Sequence, residues 1–363
     1  MKIPDGKTHG GEMMDFNFLG FDENLLLEIS NELSSVVKSG FWSGGPCISK
    51  LEDEFNKIYD LSCASCSSGG MALELVANAF PEIKRIAIQS NTYFATALPW
   101  INRNKEIILI GTEKQSLTPS LEYVKEVVIN GVDAIILTHI GGYPIPDIEE
   151  ISSYCKSNGV LLIEDCAHSP LTKINDKYVG KFGDASILSF FPTKPIPAGE
   201  GGMVFFKDKK LAAKVKQIRD YGKEKSNDKI IHKLPAVSNG RLNNFSASIV
   251  LTFLKNYKKV ITQKKKIAKI YDTHIPKKYI YQFNTTYKKE VSHYKYITFL
   301  KDNKYSVSPV YDAENQLFSI LKFNNINFKF IGDNPLGVKH ICLPITPNMV
   351  KRDVIKVVES CVY

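Results

Sequence analysis

Between Arg85 and Phe206, short apolar runs alternate with longer polar or amphipathic stretches. The runs are Arg85 to Gln89, Glu106 to Ile110, Ala134 to His139, Val160 to Ile163, Ala185 to Phe190 and Met203 to Phe206. Ala134-Ile135-Ile136-Leu137 and Val160-Leu161-Leu162-Ile163 have no polar face, as strands of a helix-covered parallel sheet require. The pattern predicts an α/β protein, a three-layer α/β/α sandwich with a mainly parallel sheet.

After Arg241 the apolar period becomes helical. One helix is expected to run to about Thr273 and to stop before Pro276. Short strands are expected at Tyr279 to Tyr281 and Tyr294 to Leu300, and an amphipathic closing helix at Val350 to Val362. The chain therefore divides, as an expectation, into a large domain over 1–250 and a smaller C-terminal α+β domain over 251–363. A length of 363 residues suits two unequal domains better than one small core.

Charge changes the picture only slightly. Lysine and arginine outnumber acids by 47 to 38, a formal +9, which allows nucleic acid, an acidic surface or anionic small substrates as partners. The densest basic stretch, Lys255 to Lys269, lies among Phe253, Tyr257, Ile261, Ala268 and Tyr271 at roughly helical spacing. It reads as the solvated face of a helix rather than a nucleic-acid stripe. Met1 to Gly11 contains no apolar export segment, and no uninterrupted apolar run approaches the roughly 18 residues of a membrane span. The expected location is the cytoplasm, with neither membrane nor nucleic acid as partner. Seven scattered cysteines are read as reduced thiols. Cys63 and Cys66 form a C-x-x-C that a zinc knuckle or redox pair would use. No second C-x-x-C follows, so buried thiols are the favoured reading and no metal is expected.

In α/β sheets ligands sit at the carboxyl ends of strands, and three loops at such ends hold candidate chemistry. The first, Cys66-Ser67-Ser68-Gly69-Gly70-Met71, leads into a helix beginning near Gly70. Exposed N–H groups at a helix start bind phosphate, although Ser-Gly-Gly can be merely a turn. The second, Glu164-Asp165-Cys166-Ala167-His168, places an acid directly after a buried strand. That is costly unless a cation or strong donor meets it; a helix cap or structural ion pair is the alternative. The third runs from Ser189 to Lys194 and then through Gly199-Glu200-Gly201-Gly202 to the next strand, setting one lysine between a buried strand and a glycine turn. Other templates fail: no G-x-G-x-x-G, H-E-x-x-H or G-x-S-x-G occurs, and Gly6-Lys7-Thr8 lacks the first glycine and strand of a P-loop.

Taken together with Asn91-Thr92-Tyr93-Phe94-Ala95-Thr96, these loops resemble the DegT-type sugar aminotransferase family, of the type I aspartate aminotransferase fold. The resemblance covers Phe41 to Ala247, including Phe41-Trp42-Ser43-Gly44-Gly45-Pro46, Thr138-His139-Ile140-Gly141-Gly142-Tyr143-Pro144 and Asn239-Gly240-Arg241. It is weaker in the C-terminal third, where Leu343-Pro344-Ile345 is similar to the closing segment.

The resemblance implies pyridoxal 5'-phosphate as cofactor, with Lys194 as its Schiff-base lysine and proton carrier and Asp165 as the partner of the pyridine nitrogen. Tyr93 matches the aromatic that stacks on the ring, and His168 stands near the ring hydroxyl where relatives often carry Gln. Gly69, Gly70, Met71 and Ser189 match the phosphate cradle. Asn239 matches a residue sent from the neighbouring subunit, which implies a homodimer with shared sites. Gly70 replaces the usual Thr, Pro195 directly follows the lysine, and Phe191 stands where some relatives have His. The implied reaction moves an amino group from an amino acid, glutamate above all, to a ketone on a nucleotide-linked sugar. A small phosphorylated ketone is the alternative acceptor, and a non-catalytic regulatory protein of the same fold the remaining one. Relatives that act as sugar dehydratases replace the lysine with His, so Lys194 points away from them.

Overall fold

The apolar runs become strands of one eight-stranded sheet. The computed structural model describes residues 20–114, 116–226, 229–281, 287–300, 310, 316–333 and 339–362. Its strands are β1 (Ser62–Cys66), β2 (Arg85–Gln89), β3 (Glu106–Ile110), β4 (Ala134–Thr138), β5 (Leu161–Asp165), β6 (Ala185–Ser189), β7 (Gly202–Phe206) and β9 (Phe328–Ile331). Two more, β8 (Tyr296–Thr298) and β10 (Ile341–Leu343), form a separate antiparallel ladder. The main sheet runs β1-β7-β6-β5-β4-β2-β3-β9. Only β7 opposes its neighbours, so the expected mainly parallel sandwich is what the chain forms.

Alternate residues along each strand feed opposite faces. Ala87, Ile108, Ile135 and Leu162 join one apolar cluster with the helices α1 (Glu23–Ser39), α2 (Pro46–Tyr59), α4 (Leu121–Ile129) and α5 (Ile148–Ser157). Ile86, Ile107, Ala134 and Ile163 join the other, with α3 (Gly69–Ala79) and α6 (Lys209–Ile218). Helices on both faces explain why these strands read as apolar on both sides.

The helix expected after Arg241 is α7 (Asn244–His274), capped by Asn243, whose side chain accepts from the Ser246 N–H. Its first turns pack Ala247, Val250 and Phe253 on the large core. Its last turns place Ile267, Ala268 and Tyr271 in a third cluster with β8, β10 and the closing helix, α9 (Lys351–Val362). The division expected at residue 250 thus falls inside one continuous helix. The chain also returns across it: α8 (Leu317–Phe323) joins the second cluster, and β9 pairs with β3. Lys255, Lys258, Lys259, Lys265, Lys266 and Lys269 lie on the exposed side of α7, as its amphipathic spacing predicts. Two of them face acids, with Lys259 at 2.7 Å from Asp22 and Lys255 at 3.6 Å from Glu32.

Three local readings differ. Tyr279 to Tyr281 is no strand, because Pro276 opens a tight turn in which the Tyr279 N–H turns back to the Pro276 carbonyl; only Ile280 bridges to Thr298. The strand expected over Tyr294 to Leu300 shortens to β8. β1 was not foreseen, since Ser-Cys-Ala-Ser-Cys lacks the β-branched signal; pairing with β7 forms it. That strand also settles the C-x-x-C. Three positions apart on a strand, Cys63 and Cys66 enter opposite core clusters, and burial pushes both thiols up, Cys66 to about 12. They are inert core groups.

Candidate active site

β1, β2, β4, β5 and β6 end on the same edge of the sheet, and the candidate residues gather there. At the first of these ends Ser68 caps α3: its hydroxyl accepts from the Met71 N–H at 3.0 Å and its carbonyl from the Ala72 N–H at 3.0 Å. Helix geometry leaves the earliest N–H groups without acceptors inside the helix. With that of Met71 taken by Ser68, Gly69 and Gly70 present theirs at the positive end of the helix dipole. Met71, expected in a phosphate cradle, packs against the second apolar cluster and has its amide taken by Ser68. Gly69 presses on Ser189, the last residue of β6, so closely that a Cβ would lie 2.8 Å from the Ser189 Cβ. Gly70 has nothing within 3.7 Å of such a position.

Asp165 ends β5 and is buried. One carboxylate oxygen accepts from the Ala167 N–H at 3.0 Å, the other from the Thr96 hydroxyl at 3.0 Å. Thr96 continues to Thr92 at 3.1 Å, and Thr92 to Thr138 at 2.7 Å, a chain of hydroxyls across three strand ends. Burial raises the acid's pKa, while the Ala167 amide, the Lys194 charge and Thr96 pull it back. Its hydrogen-bond donors are all neutral. A buried carboxylate in such surroundings is completed by a cation, which is what a protonated ring nitrogen supplies.

Lys194 sits in a loop stiffened by Pro192, Pro195 and Pro197, its own N–H held by the Phe191 carbonyl at 2.9 Å. Its Nζ lies 5.1 Å from the centroid of the Tyr294 ring. The same ring stacks on His168, centroids 4.3 Å apart and planes at 27°. His168 is buried, and its Nδ1 accepts from the Gly141 N–H at 3.3 Å. Burial, then Lys194 and Lys295, hold it well below the ordinary imidazole pKa, so the ring is neutral and carries its proton on Nε2. His168 is thus a donor.

Two expected residues stand apart. Tyr93 is 63% exposed and caps the short turn Phe94–Thr96, which sets Thr96 against Asp165. Asn239 is exposed; its side chain accepts from the Arg241 N–H at 3.4 Å, while the next residue, Gly240, accepts the Ser67 N–H at 2.9 Å. The Asn239 segment is therefore fastened by its backbone to this chain's own Ser67 loop at the start of α3. Sequence reasoning missed Tyr294 and Thr96. Thr96 lay inside a quoted segment, but nothing in its spacing tied it to Asp165; Tyr294 is one of 17 tyrosines and lies far along the chain.

Beneath the site lies a second buried network. Glu164 accepts from the N–H groups of Gly180 (2.8 Å), Phe182 (2.8 Å) and Gly183 (2.6 Å) and from His139 Nε2 (2.9 Å). His139 Nδ1 accepts from the Ile145 N–H at 3.0 Å. With Cys166 these groups lie within metal-binding distance of one another. Every ring nitrogen and carboxylate oxygen is already engaged, so the network fixes the backbone around Asp165 rather than holding an ion. Among the described residues no helix is long and apolar enough to cross a membrane.

Comparison with known proteins bears on the fold and the family. The chain is 32% identical over 243 residues to a GDP-perosamine synthase of Vibrio cholerae, covering 66% of this chain and 65% of that protein. It thus spans slightly less than two thirds of that relative's length. Among solved structures, the aminotransferase TlmJ from Streptoalloteichus hindustanus superposes with a TM-score of 0.81 at 20% identity, covering 94% of this chain and 95% of that one. The GDP-4-keto-6-deoxy-D-mannose-3-dehydratase of E. coli, with bound hydrated PLP, gives 0.80 at 18% identity, covering 94% and 97%. The family's sequence pattern matches residues 25–362, the whole breadth of the fold described above, and the chain belongs to the DegT/DnrJ/EryC1/StrS aminotransferase family.

Proposed function

We propose that the protein is a pyridoxal-phosphate aminotransferase that moves an amino group from glutamate or a similar amino acid to the keto group of a nucleotide-linked sugar. The observation that carries this reading is Asp165: a buried carboxylate with neutral donors, electrostatically coupled to Lys194, beside a helix start built on two glycines. Family membership and the similarity to a GDP-perosamine synthase support it.

The residues present fit the cofactor. Gly69, Gly70 and Ser189 would receive its phosphate, Asp165 its ring nitrogen, and the Nε2–H of His168 its ring oxygen; Tyr93 would cover the ring face. Bound there, pyridoxal phosphate supplies a conjugated ring that accepts the electron pair released at the substrate carbon. Asp165 would keep the ring nitrogen protonated. Lys194 would hold the cofactor and carry a proton at its Nζ. The buried hydroxyl chain Thr96–Thr92–Thr138 excludes water from the acid's far side. Lys194 also favours amino transfer over the dehydratase chemistry of relatives with His at that position. Asn239, exposed beside the cradle, would complete the phosphate site of the second subunit in a homodimer.

The test is to incubate purified protein and glutamate with a panel of keto-sugar nucleotides and small keto phosphates, following 2-oxoglutarate release. Amination of a sugar nucleotide is expected. Turnover of a small keto phosphate alone would replace the acceptor, and a colourless protein that binds no pyridoxal phosphate would end the reading.

A further inference from the structure

One side chain joins the lysine to the histidine, and it comes from outside the loops that make the rest of the site. Tyr294 lies in the stretch that leads into β8, on the way to the small ladder. That stretch is strapped to the large layer by three bonds. The Ser292 N–H donates to Thr172 Oγ1 at 3.1 Å, the Ser292 hydroxyl to the His168 carbonyl at 2.7 Å, and the Lys295 N–H to the Gly141 carbonyl at 3.1 Å. The glycine turn opposite is shaped for the strap: Gly142 has φ +93°, and a Cβ there would fall 2.2 Å from the Ser292 hydroxyl. Tyr294 is thus delivered between fixed points.

Each part of it then meets a site group. The ring takes the Lys194 ammonium at 5.1 Å from its centroid, inside the range of about 6 Å for a cation–π contact. It stacks on the imidazole of His168, and its hydroxyl meets Thr193 Oγ1 at 3.2 Å, one residue before the lysine. A side chain that only filled space would need neither the hydroxyl bond nor the cation.

We propose that Tyr294 is a positioning residue for Lys194: ring and hydroxyl together hold the lysine loop and His168 in one stack, so that docking of the small ladder sets the direction of the amine. This rests on Lys194 being the reactive lysine of the proposed transaminase. The titratable groups that face the phenol agree with it. Burial acts to raise its pKa, but Lys194 and then Lys295 outweigh burial and lower it, the Thr193 bond adds to them, and Cys342 opposes weakly; neutral His168 adds no charge.

The experiment reads the cofactor-free chain first. Protein labelled with 13C at the tyrosine Cζ is titrated by NMR, the Tyr294 signal being the one lost in Tyr294→Phe. That signal is expected to titrate below the ordinary tyrosine value of about 10 and to move upward in Lys194→Ala. Acylation of Lys194, followed by peptide mass spectrometry against the exposed Lys209, is expected to change severalfold in Tyr294→Leu and to recover in Tyr294→Phe. In the loaded enzyme Tyr294→Leu should lower kcat on the order of 10²-fold with little change in the KM of the amino donor. A Tyr294 signal indifferent to Lys194→Ala would overturn the proposal, and so would unchanged acylation in Tyr294→Leu. Should the leucine variant fail to fold, the Lys194→Ala titration decides alone. Attachment of the cofactor to another lysine would instead sink the transaminase site while leaving the Tyr294–Lys194 coupling measurable.

Discussion

Gly69 and Gly70 are neighbours in one helix turn, yet the structure predicts opposite outcomes when each becomes alanine. A methyl on Gly69 would lie 2.8 Å from the Ser189 Cβ, 3.1 Å from its Oγ and 3.5 Å from its Cα. Ordinary carbon contacts begin near 3.5 Å, so the helix start must retreat by roughly 0.7 Å or β6 must yield. β6 is hydrogen-bonded on both sides, to β5 and β7, so the helix moves. Overpacking of this kind costs about 1–3 kcal/mol. At Gly70 the nearest atoms are Ser68 Oγ at 3.7 Å and Ala95 Cβ at 4.0 Å, so alanine fits and gains up to about 1 kcal/mol of helix propensity. Thermal unfolding of the cofactor-free variants should separate them by several degrees, with Gly70→Ala at or above wild type. Gly69→Ala also displaces the two amides proposed for the phosphate. Bonds to charged groups contribute about 1.5–3 kcal/mol each, so titration with pyridoxal phosphate should show at least a tenfold loss there and near-normal affinity in Gly70→Ala. Gly70→Thr should bind more tightly than wild type, because the hydroxyl meets open space beside the cradle. Equal behaviour of the two alanine variants would refute the packing argument.

Asp165→Asn is expected to fold and bind cofactor, since an amide can accept from Ala167 and donate to Thr96. It should nonetheless lose on the order of 10²–10³-fold in turnover; near-normal rates would make Asp165 structural. Glu164→Gln turns an NH2 group toward buried donors, each stranded donor costing about 1–3 kcal/mol, and calorimetry should show a marked loss of stability. Burial raises the Glu164 pKa, but His139 and the backbone amides outweigh it and lower it below 4.5. Its contribution is therefore present above pH 4.5 and lost as pH falls through the depressed value, an acid-labile component that the Gln variant should lack. Subunit exchange between Lys194→Ala and Asn239→Ala preparations should restore activity, approaching half of wild type per mixed dimer, if Asn239 serves the partner's site. Proven exchange without recovery would place Asn239 in its own chain's site.

The strand pattern made the parallel sheet legible because strands buried on both faces must be apolar throughout, as in Ala134 to Leu137. Loop chemistry at strand ends made Asp165 and Lys194 candidates, because a charge beside a buried strand is costly to hide, but their roles came from the family resemblance. β1 escaped because its residues are small and a partner strand, not propensity, holds it extended. Tyr294 escaped because its role comes from a strap between units more than 100 residues apart in sequence, a contact no local pattern records. The passage of α7 from one apolar cluster to another was hidden for the opposite reason. Its periodicity is continuous, and only the change of packing partner marks where one core ends and the next begins.

Borohydride reduction of the protein incubated with pyridoxal phosphate, followed by digestion and peptide mass spectrometry, tests the central claim most directly. The account predicts a phosphopyridoxyl group on Lys194, and its absence in Lys194→Ala protein that remains folded. The group on any other lysine, or undiminished incorporation in Lys194→Ala, would contradict the site built here on Lys194, Asp165 and the glycine-started helix.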